Sequence, residues 1–167
     1  MPWPRPDLRQ VKGAWFEPYL HDLQCEDHPR RYAGWRYRLL SHLPHIEELF
    51  HALERDQIPY VLVKGIAASA RYYPSLFARS FADVDLFVEP SSFARAANTI
   101  LSLGYALDNS AEKIPKHFKF IKQGASAVEL HHQISRDFAD PPELIRAMVA
   151  SRERVDVYGL TFYAPAT

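Results

Sequence analysis

The sequence predicts an α+β fold: a mixed β-sheet with helices mainly on one face, preceded by a helical arm. Strand and helix signals alternate between residues 59 and 104. Two extended runs then flank the short loop from Gln123 to Ser126, whose glycine is typical of a hairpin. Because a strand–helix–strand order and a hairpin occur together, we expect mixed strand pairing in one sheet.

Length and composition favour one globular domain with an appendage. The chain has 167 residues, 47% of them hydrophobic and 24% charged, and no apolar run approaches the ~20 residues of a membrane-spanning helix. The single cysteine, Cys25, excludes an internal disulfide. Basic and acidic residues number 20 each, which does not favour a long nucleic acid as partner. The amino terminus has no leader pattern, so we expect a cytoplasmic protein.

Residues 1–44 are predicted to form an arm and a helix, and residues 45–167 the core domain. Prolines interrupt the beginning of the chain, because proline lacks a backbone N–H and clashes with the preceding helical turn. A helical pattern then runs from Arg31 to Ser41. Pro44 suits the first turn of a second helix, which ends near Asp56.

The core domain alternates short strands with helices. Residues 59–65 are apolar and β-branched and end at a glycine, which indicates a buried strand entering a turn. Pro90 ends a second such run, and Ser91 or Ser92 can cap the next helix. The predicted strands are 59–65, 83–90, 105–107, 117–122 and 127–132, with a final ribbon over 155–164. The other predicted helices are 66–72, 93–104 and 141–152.

Asp83 and Asp85 lie two residues apart at the start of a predicted strand. Their side chains therefore leave one face of the strand, while Val84 and Leu86 point to the other. Two carboxylates on one face suit a hard divalent cation, Mg²⁺ or Mn²⁺. The alternative is a pair of acids that caps a turn, because an Asp-x-Asp pair arises readily by chance.

A third carboxylate lies on a later predicted strand, where Glu129 and His131 share one face. On a neighbouring strand it would complete a site for two metal ions about 4 Å apart, which stabilise the attacking and leaving oxygens in phosphoryl transfer. Glu129 could instead be an exposed residue paired with Lys119 or Lys122. His131 could be a hydrogen-bonded structural residue.

Further motifs occur in a fixed order around these acids. An apolar strand ends in Lys64-Gly65, Tyr73-Pro74 and Arg79 precede the Asp-x-Asp pair, and Glu129-Leu130-His131 follows. This order resembles the nucleotidyltransferase superfamily that includes DNA polymerase beta and the aminoglycoside nucleotidyltransferases. It is more closely similar to a bacterial family of mostly uncharacterised nucleotidyltransferases, over residues from about 45 to 150.

The resemblance implies a role for each matched residue. Asp83 and Asp85 would bind both metal ions, and Glu129 would supply the third carboxylate and could act as the base. Gly65 would let the backbone approach the triphosphate. Lys64 would neutralise phosphate charge unless it forms an ordinary ion pair, and the same holds for Arg79. The expected nucleotide-binding residues are Lys64, Gly65, Arg79 and His131.

The expected activity is metal-dependent transfer of a nucleoside monophosphate from a nucleoside triphosphate, with two Mg²⁺ or Mn²⁺ ions as cofactors. The acceptor would be a hydroxyl or phosphate of a small molecule or a peptide. One alternative keeps the aspartate pair but uses a nucleotide sugar as donor. Another is a non-catalytic nucleotide-binding protein, because Ile66 stands where the wider superfamily has a serine after the glycine.

The carboxy terminus departs from the family pattern. The chain ends at Thr167, where the family normally continues into a helical part. The core alone would then offer little surface to enclose an acceptor. We therefore expect a second copy of the chain or a partner protein to complete the active form.

Overall fold

The computed structural model describes residues 29–73, 75–108, 117–131 and 142–166. The proline-rich arm before residue 29 lies outside the described residues, as do Pro74 and His132. The described helices are α1 (Pro29–Arg55), α2 (Gly65–Tyr72), α3 (Phe93–Ser102) and α4 (Pro142–Ala150), and none of them is long and apolar enough to cross a membrane. The described strands are β1 (Tyr60–Leu62), β2 (Asp83–Val88), β3 (Ala106–Leu107), β4 (His117–Ile121), β5 (Ala127–His131), β6 (Glu153–Val157) and β7 (Leu160–Ala164).

Five strands form one mixed sheet in the order β1-β2-β5-β4-β3. Strands β2 and β5 pair in parallel at its centre, and the other pairs of this sheet are antiparallel. β4 and β5 form the predicted hairpin, so the expected mixture of parallel and antiparallel pairing is confirmed. The parallel register places Asp85 opposite Glu129 and Phe87 opposite His131.

The helices lie mainly on one face of the sheet, as predicted. Val84, Leu86 and Val88 alternate along β2 and point into the main core. The buried faces of α1, α2 and α3 complete that core, with Leu49, Ile66 and Ile100 among their contributions. The apolar face of the central strands is thus fully covered.

Helix α4 packs on the opposite face of the sheet. Its residues Ile145 and Val149 form a second buried cluster with Val61 of β1 and Phe87 of β2. Phe87 lies on the same face of β2 as Asp85, because alternate residues of a strand share a face. Helix α4 therefore lies on the same side of the sheet as the aspartate pair.

Helix α1 is one continuous helix, whereas the sequence predicted separate helices before and after Pro44. Pro44 is exposed, so the Leu40 carbonyl oxygen that loses its helical partner there can bond to water. The buried residues of α1 form one stripe at helical spacing on both sides of the proline. They are Leu39, Ile46, Leu49, Phe50, Ala52 and Leu53. Packing of this stripe maintains the helix despite the internal proline.

The predicted final ribbon is the antiparallel hairpin of β6 and β7. Its turn residues Tyr158 and Gly159 both have positive φ, at 49° and 83°, which is the conformation of a two-residue hairpin turn. On β7, Phe162 is fully buried and its ring centroid lies 5.9 Å from that of Phe50 in α1. The hairpin therefore extends the main core next to α1.

Candidate active site

Three carboxylates converge on the face of the sheet that carries α4. Asp83 begins β2 and Asp85 follows two residues later, so both side chains leave the same face. The parallel pairing of β2 with β5 brings Glu129 directly beside Asp85. Asp85 is 6% exposed, and Asp83 and Glu129 are partly buried. The structure thus brings the three predicted acids together.

Asp85 is held by two nitrogen atoms. Its Oδ1 lies 3.0 Å from Lys64 Nζ and 3.0 Å from His131 Nε2. Lys64 donates the first hydrogen bond, and His131 donates the second when Nε2 carries its ring proton. Burial raises the pKa of Asp85, but the hydrogen bonds and charges of His131 and Lys64 outweigh burial and hold that pKa below its ordinary value. Asp85 is therefore a well-stabilised carboxylate.

Asp83 has the opposite electrostatic environment. Burial, followed by the negative charges of Asp85 and Glu129, raises the pKa of the Asp83 carboxyl, and Lys119 and Lys64 counteract only part of this effect. The negative charge is therefore incompletely balanced by the protein. A hard divalent cation prefers carboxylate oxygens and would relieve this repulsion. The residues of the site thus fit Mg²⁺ or Mn²⁺.

The turn after β1 lies tightly against the start of β2. Gly65 has a φ of +43°, a conformation that strains other residues, and a Cβ atom here would lie 3.2 Å from the Asp83 carbonyl oxygen. Arg79 Nη1 donates a hydrogen bond of 3.4 Å to the Gly65 carbonyl oxygen. Glycine at this position lets the backbone that begins α2 approach the aspartate strand, while Arg79 holds it there.

Of the two lysines that could pair with Glu129, the structure places Lys119 beside it and Lys122 beside another residue. Lys119 lies opposite Glu129 in the β4–β5 register, and its Nζ is 3.9 Å from Glu129 Oε1. Lys122 instead lies 3.6 Å from Glu48 of α1. Among the described residues, Lys119 is therefore the one lysine paired with Glu129, at the long end of ion-pair distances, and Oε2 of Glu129 has a different neighbour.

His117 is the neighbour of that other oxygen, and the sequence analysis missed it. His117 Nε2 lies 3.6 Å from Glu129 Oε2, and the His117 ring centroid is 4.9 Å from that of His131. Burial lowers the pKa of His117, and the positive charges of His131 and Lys64 add to this, against the opposing effect of Glu129 and Asp85. The sequence does contain a pattern that indicates His117, because His117 and Lys119 alternate with phenylalanines along a predicted hairpin strand.

The His131 ring is fixed by stacking. It lies parallel to the Phe87 ring, with a centroid distance of 4.6 Å and an interplanar angle of 5°. Phe87 also packs against Ile145 and Val149 of α4. Helix α4 thus supports the orientation of His131, and through it the hydrogen bond to Asp85. The sequence predicted α4 but gave no indication that it supports the site.

The two aspartates should respond in opposite directions to neutralisation in the metal-free protein. The raised pKa of Asp83 means that its charge destabilises the folded state at neutral pH, so Asp83→Asn should raise the free energy of unfolding. Asp85→Asn should lower it, because the charge-assisted bonds from Lys64 and His131 are lost. Each change should lie within the range of about 0.5–3 kcal/mol of typical single substitutions. Denaturant titration with a chelator at pH 7 measures both.

The pH dependence tests the sign of this prediction. For Asp83→Asn the gain should be complete above the raised pKa of the folded protein and absent below the ordinary aspartate pKa, about 3.9, where wild-type Asp83 is protonated in both states. Shifts of both variants in the same direction at pH 7 would contradict the electrostatic difference between Asp83 and Asp85.

Two solved structures share the fold of this chain. The first is ANT(2″)-Ia in complex with adenylyl-2″-tobramycin, with a TM-score of 0.52 and 16% identity over 74% of this chain and 68% of that one. The second is TM1012 of Thermotoga maritima, assigned as a nucleotidyltransferase, with a TM-score of 0.54 and 9% identity over 74% of this chain and 76% of that one. No curated protein sequence matches the chain. At these identities the two structures establish the fold.

Residues 27–167 match a protein family described as uncharacterised nucleotidyltransferases. The match spans most of the chain and includes every residue of the candidate site. It confirms the family resemblance that the ordered motifs predicted, and the fold shared with the two solved structures agrees with it. The chain therefore belongs to this family of nucleotidyltransferases.

Proposed function

We propose that this chain transfers a nucleoside monophosphate from a nucleoside triphosphate to a hydroxyl or phosphate of a small molecule or peptide. The observation that carries the proposal is the convergence of Asp83, Asp85 and Glu129 through the β2–β5 register, in a chain of a nucleotidyltransferase family. The complex of ANT(2″)-Ia contains adenylyl-2″-tobramycin, which supports a small-molecule acceptor for this fold.

Asp83, Asp85 and Glu129 are the residues that would hold two divalent cations. When bound, Mg²⁺ or Mn²⁺ would neutralise triphosphate charge and stabilise the attacking and leaving oxygens. Burial, followed by the negative charges of Asp85 and Glu129, raises the pKa of Asp83, and these carboxylates would also repel a triphosphate unless a cation lay between them. Lys64 pairs directly with Asp85, and together with Lys119 it offsets only part of the effect at Asp83.

The turn from β1 to α2 is the proposed triphosphate-binding segment. The Lys64 side chain is 61% exposed although its Nζ contacts Asp85, so the ammonium group remains accessible to a phosphate. Ile66 is 2% exposed within the core and offers no hydroxyl to a phosphate. Backbone N–H groups at the start of α2, next to Gly65, are the donors proposed in its place. Arg79 positions that backbone through the Gly65 carbonyl.

Glu129 is the proposed base when the acceptor is a hydroxyl. The acceptor oxygen forms a bond to the α-phosphorus as the bond from that phosphorus to the pyrophosphate oxygen breaks, and the hydroxyl proton passes to the Glu129 carboxylate. Lys119 near Oε1 and His117 near Oε2 orient this carboxylate from either side. The protein's contribution is thus positioning and proton acceptance.

Nucleotide binding should require a divalent metal ion. Titration calorimetry with a non-hydrolysable triphosphate analogue should show affinity at least about tenfold weaker in excess chelator than in Mg²⁺ or Mn²⁺, because carboxylates and phosphates repel without a cation between them. Asp83→Asn should weaken the metal-dependent binding. Asp156→Asn, an exposed aspartate on β6, is the matched control and should bind normally. Tight binding of the analogue in chelator would refute the proposed site.

Glu129→Gln should separate chemistry from binding. If Glu129 accepts the acceptor proton, the single-turnover rate should fall by about 10² or more while triphosphate affinity stays near wild type, because Asp83 and Asp85 still hold the metal that accompanies the nucleotide. Glu48→Gln is the control, since Glu48 also faces a lysine, at 3.6 Å from Lys122, but belongs to α1. An unchanged rate in Glu129→Gln would show that Glu129 has no catalytic role and is only a residue on the surface of the strand.

The mass of the product distinguishes the donor class in the same assays. A nucleotidyltransferase adds the mass of a nucleoside monophosphate to the acceptor and releases pyrophosphate. Addition of a sugar mass from a nucleotide sugar would contradict the proposal. Nucleotide binding without any transfer across a broad acceptor screen would favour the non-catalytic alternative.

A further inference from the structure

The second oxygen of Glu129 lies between two imidazole rings. Glu129 Oε2 is 3.6 Å from His117 Nε2 and 3.7 Å from His131 Nε2, while Oε1 faces Lys119. One ligand atom from each of His117, Glu129 and His131 lies within 4.8 Å of the other two. The hairpin register produces this group, because His117 pairs with His131 and Lys119 with Glu129.

These spacings are too long for hydrogen bonds but suit the ligands of one metal ion. Bonds of about 2.1 Å at a tetrahedral ion place neighbouring ligand atoms about 3.4 Å apart. The two distances from Glu129 Oε2 exceed this value by a few tenths of an ångström, and all three ligand atoms lie within 4.8 Å of one another, so side-chain rotations would have to bring them around the ion. The His131 side chain is 7% exposed and stacked on Phe87, so one ligand is already oriented.

We propose that His117, Glu129 and His131 form a binding site for a transition-metal ion of the Zn²⁺ or Co²⁺ class. Imidazole nitrogen suits these ions, whereas Mg²⁺ prefers a shell of oxygen ligands alone. Asp85 Oδ1, 3.0 Å from His131 Nε2, lies beside the group and can join it as a further oxygen ligand when His131 carries its ring proton on Nδ1. His117 is 31% exposed, which leaves a path for the ion from solvent.

The inference deepens the proposed function at one point, because Glu129 belongs to both sets of ligands. The aspartate pair offers oxygens only and would hold the cation that accompanies the triphosphate. The second metal position, nearer the acceptor, would then have a mixed nitrogen and oxygen shell. This second position would therefore prefer a different metal ion from the one bound by the aspartate pair. The metal site itself does not depend on the proposed function; only its role in catalysis rests on it.

Cobalt titration of the full chain without nucleotide tests the site. Wild-type protein should develop the visible d–d absorption of bound Co²⁺, and a hundredfold excess of Mg²⁺ should not displace it. His117→Ala should lower Co²⁺ affinity at least tenfold, with normal thermal unfolding because the side chain is partly exposed. His51→Ala, an exposed histidine of α1, should bind as wild type and controls for the loss of any histidine. His117→Gln serves as a second variant if the alanine protein is unstable.

Two results would overturn the inference. One is equal Co²⁺ affinity in wild type, His117→Ala and His51→Ala, and the other is displacement of Co²⁺ by an equimolar amount of Mg²⁺. Failure of the proposed function is separable from both, because the titration contains no substrate. A chain that binds Co²⁺ through His117 but transfers no nucleotide retains the metal site and loses the enzyme assignment. Efficient nucleotide transfer with Mg²⁺ by a chain that has no Co²⁺ site would keep the enzyme assignment and refute the transition-metal site.

Discussion

The parallel pairing of β2 with β5 is the interaction on which the candidate site depends. It places Glu129 beside Asp85, two residues along β2 from Asp83, and so gathers three acids on one face. Burial raises the pKa of Asp83, and repulsion from the negative charges of Asp85 and Glu129 adds to this effect. Lys64 and His131 hold the pKa of Asp85 below its ordinary value, whereas Lys64 and Lys119 offset only part of the rise at Asp83. Bound cations would therefore stabilise the three carboxylates better than the side chains of the protein do alone.

The opposite face of the same strands supplies the stability that such a site requires. Alternate residues of β2 and β5 are fully buried there against α1, α2 and α3, among them Leu86 and Leu130. Burying one such side chain contributes roughly 1.5–3 kcal/mol. This face thus contributes the stabilising burial, and the strand period of two keeps it separate from the charged face.

Much of this arrangement could be predicted from the sequence, because it follows from local patterns. Alternation along the strands located Asp83, Asp85 and Glu129, and a glycine-bearing loop located the hairpin. What could not be predicted depends on register and packing. The two aspartates look equivalent in the sequence but differ in their partners, and His117 joins the site only through the β4–β5 register. The continuous helix through Pro44 likewise follows from tertiary packing against the core, which a local proline signal does not report.

We propose that the aspartate pair and Glu129 form one metal and nucleotide site at the β2–β5 junction. A crystal structure of the chain with Mn²⁺ and a non-hydrolysable triphosphate analogue tests it most directly, because manganese is located by its anomalous signal. We expect manganese bonded to carboxylate oxygens of Asp83 and Asp85, with the triphosphate against the turn at Lys64 and Gly65. Manganese and triphosphate bound at any other surface of the chain would contradict it.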